Sequence, residues 1–151
     1  MSRLHVHLSV RDLNESVRFY STLFGHEPTR IERGYAKWML DDPRANFAIS
    51  EGSDHTGLSH LGIQVDSDAE LASVAERAKA AAGQVLHEEG ARCCYAVGNK
   101  AWAEDPQGVR WEQFHTLHDA EEFGAGAQAT RVERGSDAMP AQAAGAGCCC
   151  G

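Results

Sequence analysis

The chain has 151 residues, 42% of them hydrophobic, and a formal net charge of -8, which suits one domain with a tail. The acidic balance argues against nucleic acid or an anionic membrane as the main partner, because both select basic patches. No apolar run approaches the roughly 18 residues of a membrane span, and "MSRLHVHLSV" has no basic-then-apolar leader, so a cytoplasmic protein is expected.

The chain opens on a strand pattern. Leu4, Val6, Leu8 and Val10 alternate with His5, His7 and Ser9, so an apolar face packs on something and the histidines face the other way. A helix follows over about 13–24, with Asp12 as N-cap, Glu15 three residues on and Gly25 as the stop. Three short strand-like runs come next, near 27–33, 35–40 and 46–51. Asp42-Pro43 precedes the last of them and reads as a turn. The pattern then repeats. "HLGIQV" opens on His60, with Leu61, Ile63 and Val65 on one face. A helix over about 69–82 is capped by Ser67 or Asp68 and stopped by Gly83. Strand-like runs lie near 84–89, 94–103 and 109–116, with Asp105-Pro106 before the last. The reading is an α+β fold of two βαβββ modules, about 3–52 and 58–117, within a folded domain of about 1–120. Beyond it, residues 121–151 are rich in Ala and Gly and end in "GCCCG", which reads as a flexible tail.

The five cysteines fall in two clumps, Cys93-Cys94 and Cys148-Cys149-Cys150. Neighbouring thiols are poor at joining distant parts of a fold. In a reducing compartment they bind soft metals or metalloids, or react.

Two modules related by a pseudo-twofold place equivalent strands at equivalent positions. The shared face then offers His5 from the first module and His60 from the second. In "VRWEQF", Glu112 lies on the face opposite Trp111 and Gln113. A lone strand histidine is usually a core polar group with a hydrogen-bond partner. His5, His60 and Glu112 together, placed by one repeat, read instead as a metal site. Two imidazoles and a carboxylate suit Fe(II), Mn or Zn and leave coordination positions open. The first module offers Ile49 or Ala48 opposite Glu112, and neither binds metal; Glu51 is the nearest carboxylate. His7 shares the face of His5 and is a supporting residue or a competing ligand. His26, His55, His87, His115 and His118 receive no role. Phe19, Tyr20 and Phe24 read as helix packing. Tyr35, Trp38, Tyr95 and Trp102 read mostly as core with some lining an apolar pocket, and Lys100 and Arg110 as surface charges or anion contacts.

The double repeat, "SVRFYSTLFG" and "DPQGVRWE" resemble the vicinal oxygen chelate superfamily, which includes glyoxalase I, extradiol dioxygenases and fosfomycin-resistance proteins. The resemblance covers about residues 3–116 and implies an open, barrel-like mixed sheet around a metal. "RCCYAVGNKAWAEDPQGVRWE", with "FYSTLFGHEP" and "GYAKWML", is similar to the organoarsenical C–As lyases and their cadmium-induced relatives. That similarity implies Fe(II) on His5, His60 and Glu112, dioxygen chemistry, and Cys93 with Cys94 holding trivalent arsenic. The expected reaction converts a methyl- or aryl-arsenite to inorganic arsenite. The cadmium-induced relatives often lack the first-strand histidine, so His5 favours the catalytic reading. In a regular strand Cys93 and Cys94 would face opposite ways, so both can reach one arsenic only from a loop, for which Gly90 makes room, or from a strand end. The alternatives are sequestration of cadmium or arsenite, to which the tail thiols would contribute, and a thiol transferase of the fosfomycin-resistance type. The two modules could close within one chain or across a homodimer.

Overall fold

The computed structural model describes residues 2–93 and 96–119. The tail expected at 121–151, with Cys148, Cys149 and Cys150, lies outside the described residues, as do Cys94 and Tyr95.

In chain order the elements are β1 (Arg3–Val10), α1 (Leu13–Phe24), β2 (Arg30–Glu32), β3 (Tyr35–Asp41), β4 (Arg44–Glu51), β5 (Gly57–Val65), α2 (Asp68–Ala82), β6 (Leu86–Cys93), β7 (Ala96–Glu104) and β8 (Arg110–Asp119). This is βαβββ, twice. The helix starts follow the expected chemistry. Asp12 accepts from the Glu15 N–H, and Ser67 from the Glu70 N–H, each satisfying an amide with no partner inside its helix. Both helices end at a left-handed glycine, Gly25 and Gly83, a conformation that costs glycine nothing.

The strands form one sheet in the order β2-β3-β4-β1-β5-β8-β7-β6. β1 and β5 run antiparallel at its centre; β1–β4 and β5–β8 are parallel. The central seam fixes the relation between modules. His5 pairs with Gly62 and His7 with His60. Exchanging the modules turns one pair into the other, so His60 takes the place of His5 and Gly62 that of His7. On the flanking strands Ala48 pairs with His7, and Glu112 with Gly62. Glu112 therefore stands where the first module has Ala48, which settles the choice between Ala48 and Ile49.

One face of the sheet carries the helices. Trp38 and Ile49 are fully buried there, with Leu13, Ala36 and Leu40, and Leu8, Val10, Tyr20, Phe24 and Phe47 close round them. Phe19 departs from its expected packing role: it is 60% exposed, its ring lying against Tyr20 on the outer side of α1. A smaller core of Val65, Leu71 and Val74 lies under α2. The other face is polar and yet buried. Along β1 it is His5, His7 and Ser9 that are shielded, whereas Leu4 is 49% exposed.

Of the two placements expected for Cys93, the structure shows the strand end and no loop at Gly90. β6 runs on to Cys93, whose partner across the hairpin is Ala96. The chain accommodates Gly90 by a register shift between Glu88 and Ala91, with a positive φ at Gly90 and its N–H donated to the Asn99 side chain. A bulge absorbs the irregularity that the sequence suggested would break the strand.

Candidate metal centre

Five strands converge on the polar face. β1 supplies His5 and His7, β4 Asn46 and Ser50, β5 His60, β7 Lys100 and β8 Glu112. All of these but Ser50 line a cavity of about 50 Å³, together with Tyr35, Lys37, Ala48 and Phe114, among others; Ser50 meets His7 Nε2 instead. The register places each one, because strand residues two apart share a face.

The three expected ligands come together. His5 Nε2 lies 3.2 Å from His60 Nε2. Glu112 Oε2 lies 3.4 Å from His60 Nε2 and 3.7 Å from His5 Nε2. Metal–nitrogen and metal–oxygen bonds of about 2.0–2.2 Å put adjacent donors about 3.0–3.5 Å apart. The donor set thus fits one divalent ion with little rearrangement.

His7 belongs to an overlapping set. Donor nitrogens of His5, His7 and His60 all lie within 4.8 Å of one another, so three buried imidazoles could also form a metal site. His7 Nε2, however, lies 3.0 Å from the Ser50 hydroxyl, and the His7 ring packs edge-on against His60 at 4.8 Å. The tighter set is His5, His60 and Glu112.

Neighbouring groups orient the imidazoles. His5 Nδ1 lies 2.9 Å from the Asn46 carbonyl oxygen. A carbonyl only accepts, so Nδ1 carries the proton and the Nε2 lone pair faces the centre. His60 Nδ1 lies 3.0 Å from the Ser59 hydroxyl, which can accept its proton when Nε2 binds an ion. Phe114 and Trp102 meet the edges of His5 and His60, each with ring centres 5.2 Å apart.

Burial sets the protonation states. It pushes His5 down from 6.5 to about 4, against the opposing pull of the Glu112 carboxylate. His7 is held well below its ordinary value, again chiefly by burial. For Glu112 burial acts upward. The Lys100 ammonium, with the hydrogen bond from His60, outweighs it and holds the carboxyl well below its usual range. Neutral imidazoles and an ionised carboxylate are the forms that bind a cation.

Three features escaped the sequence reading. Lys100 is an anion contact and no surface charge, with a partner that the sequence did not point to: its Nζ lies 2.5 Å from Glu112 Oε1 and its side chain is 10% exposed. Asn46 and Ser59 carry no signal in sequence, since their roles depend on register. Of the aromatic residues, Trp38 is core, while Tyr35 faces the cavity and Trp102 contacts His60. Arg110 stacks on Trp102 at 4.4 Å. Glu51 ends β4 exposed, and His115 meets Asp68 at 3.0 Å. No helix among the described residues is long and apolar enough to cross a membrane.

Known proteins resemble this chain in sequence and in fold. The chain is 34% identical over 151 residues to the trivalent organoarsenical cleaving enzyme of Thermomonospora curvata, an alignment covering 99% of this chain and 100% of that protein. It is 37% identical over 145 residues to the cadmium-induced protein CadI of Mycobacterium bovis, covering 92% of each. Its fold is similar to that of an extradiol ring-cleaving dioxygenase from B. fuscum, with a TM-score of 0.59 and 19% identity over 79% of this chain and 34% of that one. Residues 3–113 match the family model described as Glyoxalase/Bleomycin resistance protein/Dioxygenase superfamily, and with two βαβββ modules closing on one polar face the chain belongs to that family.

Proposed function

We propose that the protein is an Fe(II)- and dioxygen-dependent C–As lyase that converts trivalent methyl- or aryl-arsenicals to inorganic arsenite. The observation that carries this reading is the convergence of His5, His60 and Glu112 in a chain similar over its whole length to an organoarsenical cleaving enzyme. His5, His60 and Glu112 hold the ion, and Fe(II) so bound supplies dioxygen chemistry at the positions these three leave open. The Asn46 carbonyl and the Ser59 hydroxyl keep the two imidazoles aimed.

Cys93 and Cys94 are assigned the substrate. Trivalent arsenic in a monosubstituted arsenical has two exchangeable positions, and two thiolates fill both. The thiols lose their protons to the groups they displace. The carbon departs as an oxidised organic fragment, with dioxygen as the oxidant. Cys93 is the last residue of β6, and Cys94 lies outside the described residues.

A second reading is sequestration of cadmium or arsenite without turnover. It draws on the 37% identity to CadI and on the tail triplet Cys148–Cys150. One assay separates the two. Fe(II)-loaded protein is incubated with methylarsenite in air and under nitrogen, and inorganic arsenite is measured. Arsenite formed in air alone is the result expected of the lyase. Thiol-dependent binding without product in air would leave sequestration.

A further inference from the structure

The two oxygens of Glu112 meet different partners. Oε2 faces the Nε2 atoms of His60 and His5, at 3.4 and 3.7 Å. Oε1 meets the Lys100 ammonium at 2.5 Å. Both side chains are almost wholly buried, at 10% and 5% exposure. A carboxylate can bind a divalent ion through one oxygen or through both. The second mode occupies one more coordination position, and in a three-ligand site open positions are what the chemistry needs. We infer that Lys100 holds Glu112 in the one-oxygen mode, keeping Oε1 away from the ion and one more position open to small molecules. The inference rests on the metal reading of His5, His60 and Glu112 above.

Three observations support it. Lys100 is placed by the sheet: it pairs with Phe114 and the next residue on its face, Trp102, pairs with Glu112. From that diagonal position its ammonium reaches Oε1 and not the imidazoles' side of the carboxylate. Aromatic faces flank the charge, with Nζ 5.9 Å from the Trp102 ring centre and 6.0 Å from that of Phe114, a setting that favours a cation. The pair is also confined to one module. Tyr35 pairs with Ser50 as Lys100 pairs with Phe114, so the first module has Tyr35 in place of Lys100 and Ala48 in place of Glu112. Lys37 of the first module also lines the cavity, but it pairs with Ala48 and stands where the second module has Trp102, so the Lys100–Glu112 arrangement has no counterpart there.

Lys100 on this account is a positioning residue, and its signature is spectroscopic. Co(II) is the probe, added without oxygen to the full chain. Its visible bands are strong in four- and five-coordinate sites and weaken at six. The wild-type protein should bind one Co(II) with strong bands, and His60→Ala should abolish the spectrum. Lys100→Met should still bind one Co(II), with bands at least twofold weaker as the freed Oε1 joins the ion. Wild-type bands in Lys100→Met would overturn the inference and leave the centre standing. A Co(II) spectrum indifferent to His60→Ala would remove the centre and the inference with it. Should Lys100→Met not fold, infrared spectra of the wild-type protein with and without Co(II) give an independent answer. One-oxygen binding gives a wide separation between the carboxylate stretches. A narrow separation, with Lys100 in place, would overturn the inference.

Discussion

Gly62 lies so close to Glu112 across the β5–β8 pairing that a Cβ on it would stand 2.4 Å from the Glu112 carbonyl oxygen. The contact is backbone, so no side chain can swing aside. Gly62 occupies the place that His7 has in the first module, and the module with the carboxylate is thus the one that cannot carry a second imidazole there.

Gly62→Ala should therefore force β5 and β8 apart and pull Glu112 from His5 and His60. Overpacking of this kind costs about 1–3 kcal/mol. Urea unfolding should show that loss, and Co(II) titration should show weaker binding. Unchanged values in both would mean the strands yield without strain.

Ser59→Ala tests orientation without touching a proposed ligand. The Ser59 hydroxyl lies 3.0 Å from His60 Nδ1. Without it the ring loses the partner that accepts its Nδ1 proton when Nε2 binds an ion. Loss of such a partner typically weakens metal binding by about 10-fold or more. Competition with a chelator should reveal this at unchanged unfolding stability. An equal dissociation constant would show that packing against Trp102 suffices to aim His60.

The repeat made much of this legible. Period-two alternation and helix caps are local features, so β1, α1 and α2 could be placed within a residue or two, while β5 begins three residues before the His60 on which its pattern opens. Parity within each strand, joined by the pseudo-twofold of the repeat, could put the two opening histidines and Glu112 on one face. What could not be read was register. Lys100 faces Glu112 only because β7 pairs with β8 in one particular offset, with a shift between Val97 and Gly98. In sequence a lysine among strand residues looks like any solvated charge. Gly90 misled for a related reason. A glycine with positive φ signals a loop or a bulge equally well, and pairing with β7 decided for the bulge.

Trp38→Ala should be the severe structural variant. Trp38 has no exposed surface, contacts the Tyr20, Phe24 and Phe47 rings, and donates its indole N–H to the His26 carbonyl oxygen at 3.0 Å. Emptying such a site costs about 3–5 kcal/mol, and it leaves that carbonyl without its donor. Differential scanning calorimetry should show a Tm lower by several degrees, or no cooperative transition. A Tm within a degree of wild type would contradict the packing described for α1.

Acid should destabilise the metal-free protein in a definite window. Burial holds His5 at about 4, against 6.5 in the ordinary side chain, and His7 is displaced in the same direction. Between those values the unfolded chain holds more protons than the folded one, so stability rises with pH. The His5 contribution is complete above about pH 6.5 and drains as pH falls toward 4; below that both states are protonated and it changes no further. A shift of this size is worth on the order of 3 kcal/mol. Glu112, held below its usual range, adds a loss in the same sense at lower pH, once the carboxylate is protonated. Urea midpoints of chelator-treated protein at pH 7.5, 6 and 5 should fall in that order. His5→Gln, which replaces the titrating ring by an amide, should flatten part of the dependence whatever it does to absolute stability. A wild-type midpoint equal at pH 7.5 and 5 would mean that the imidazoles already meet solvent, and that the polar face is open in the metal-free protein.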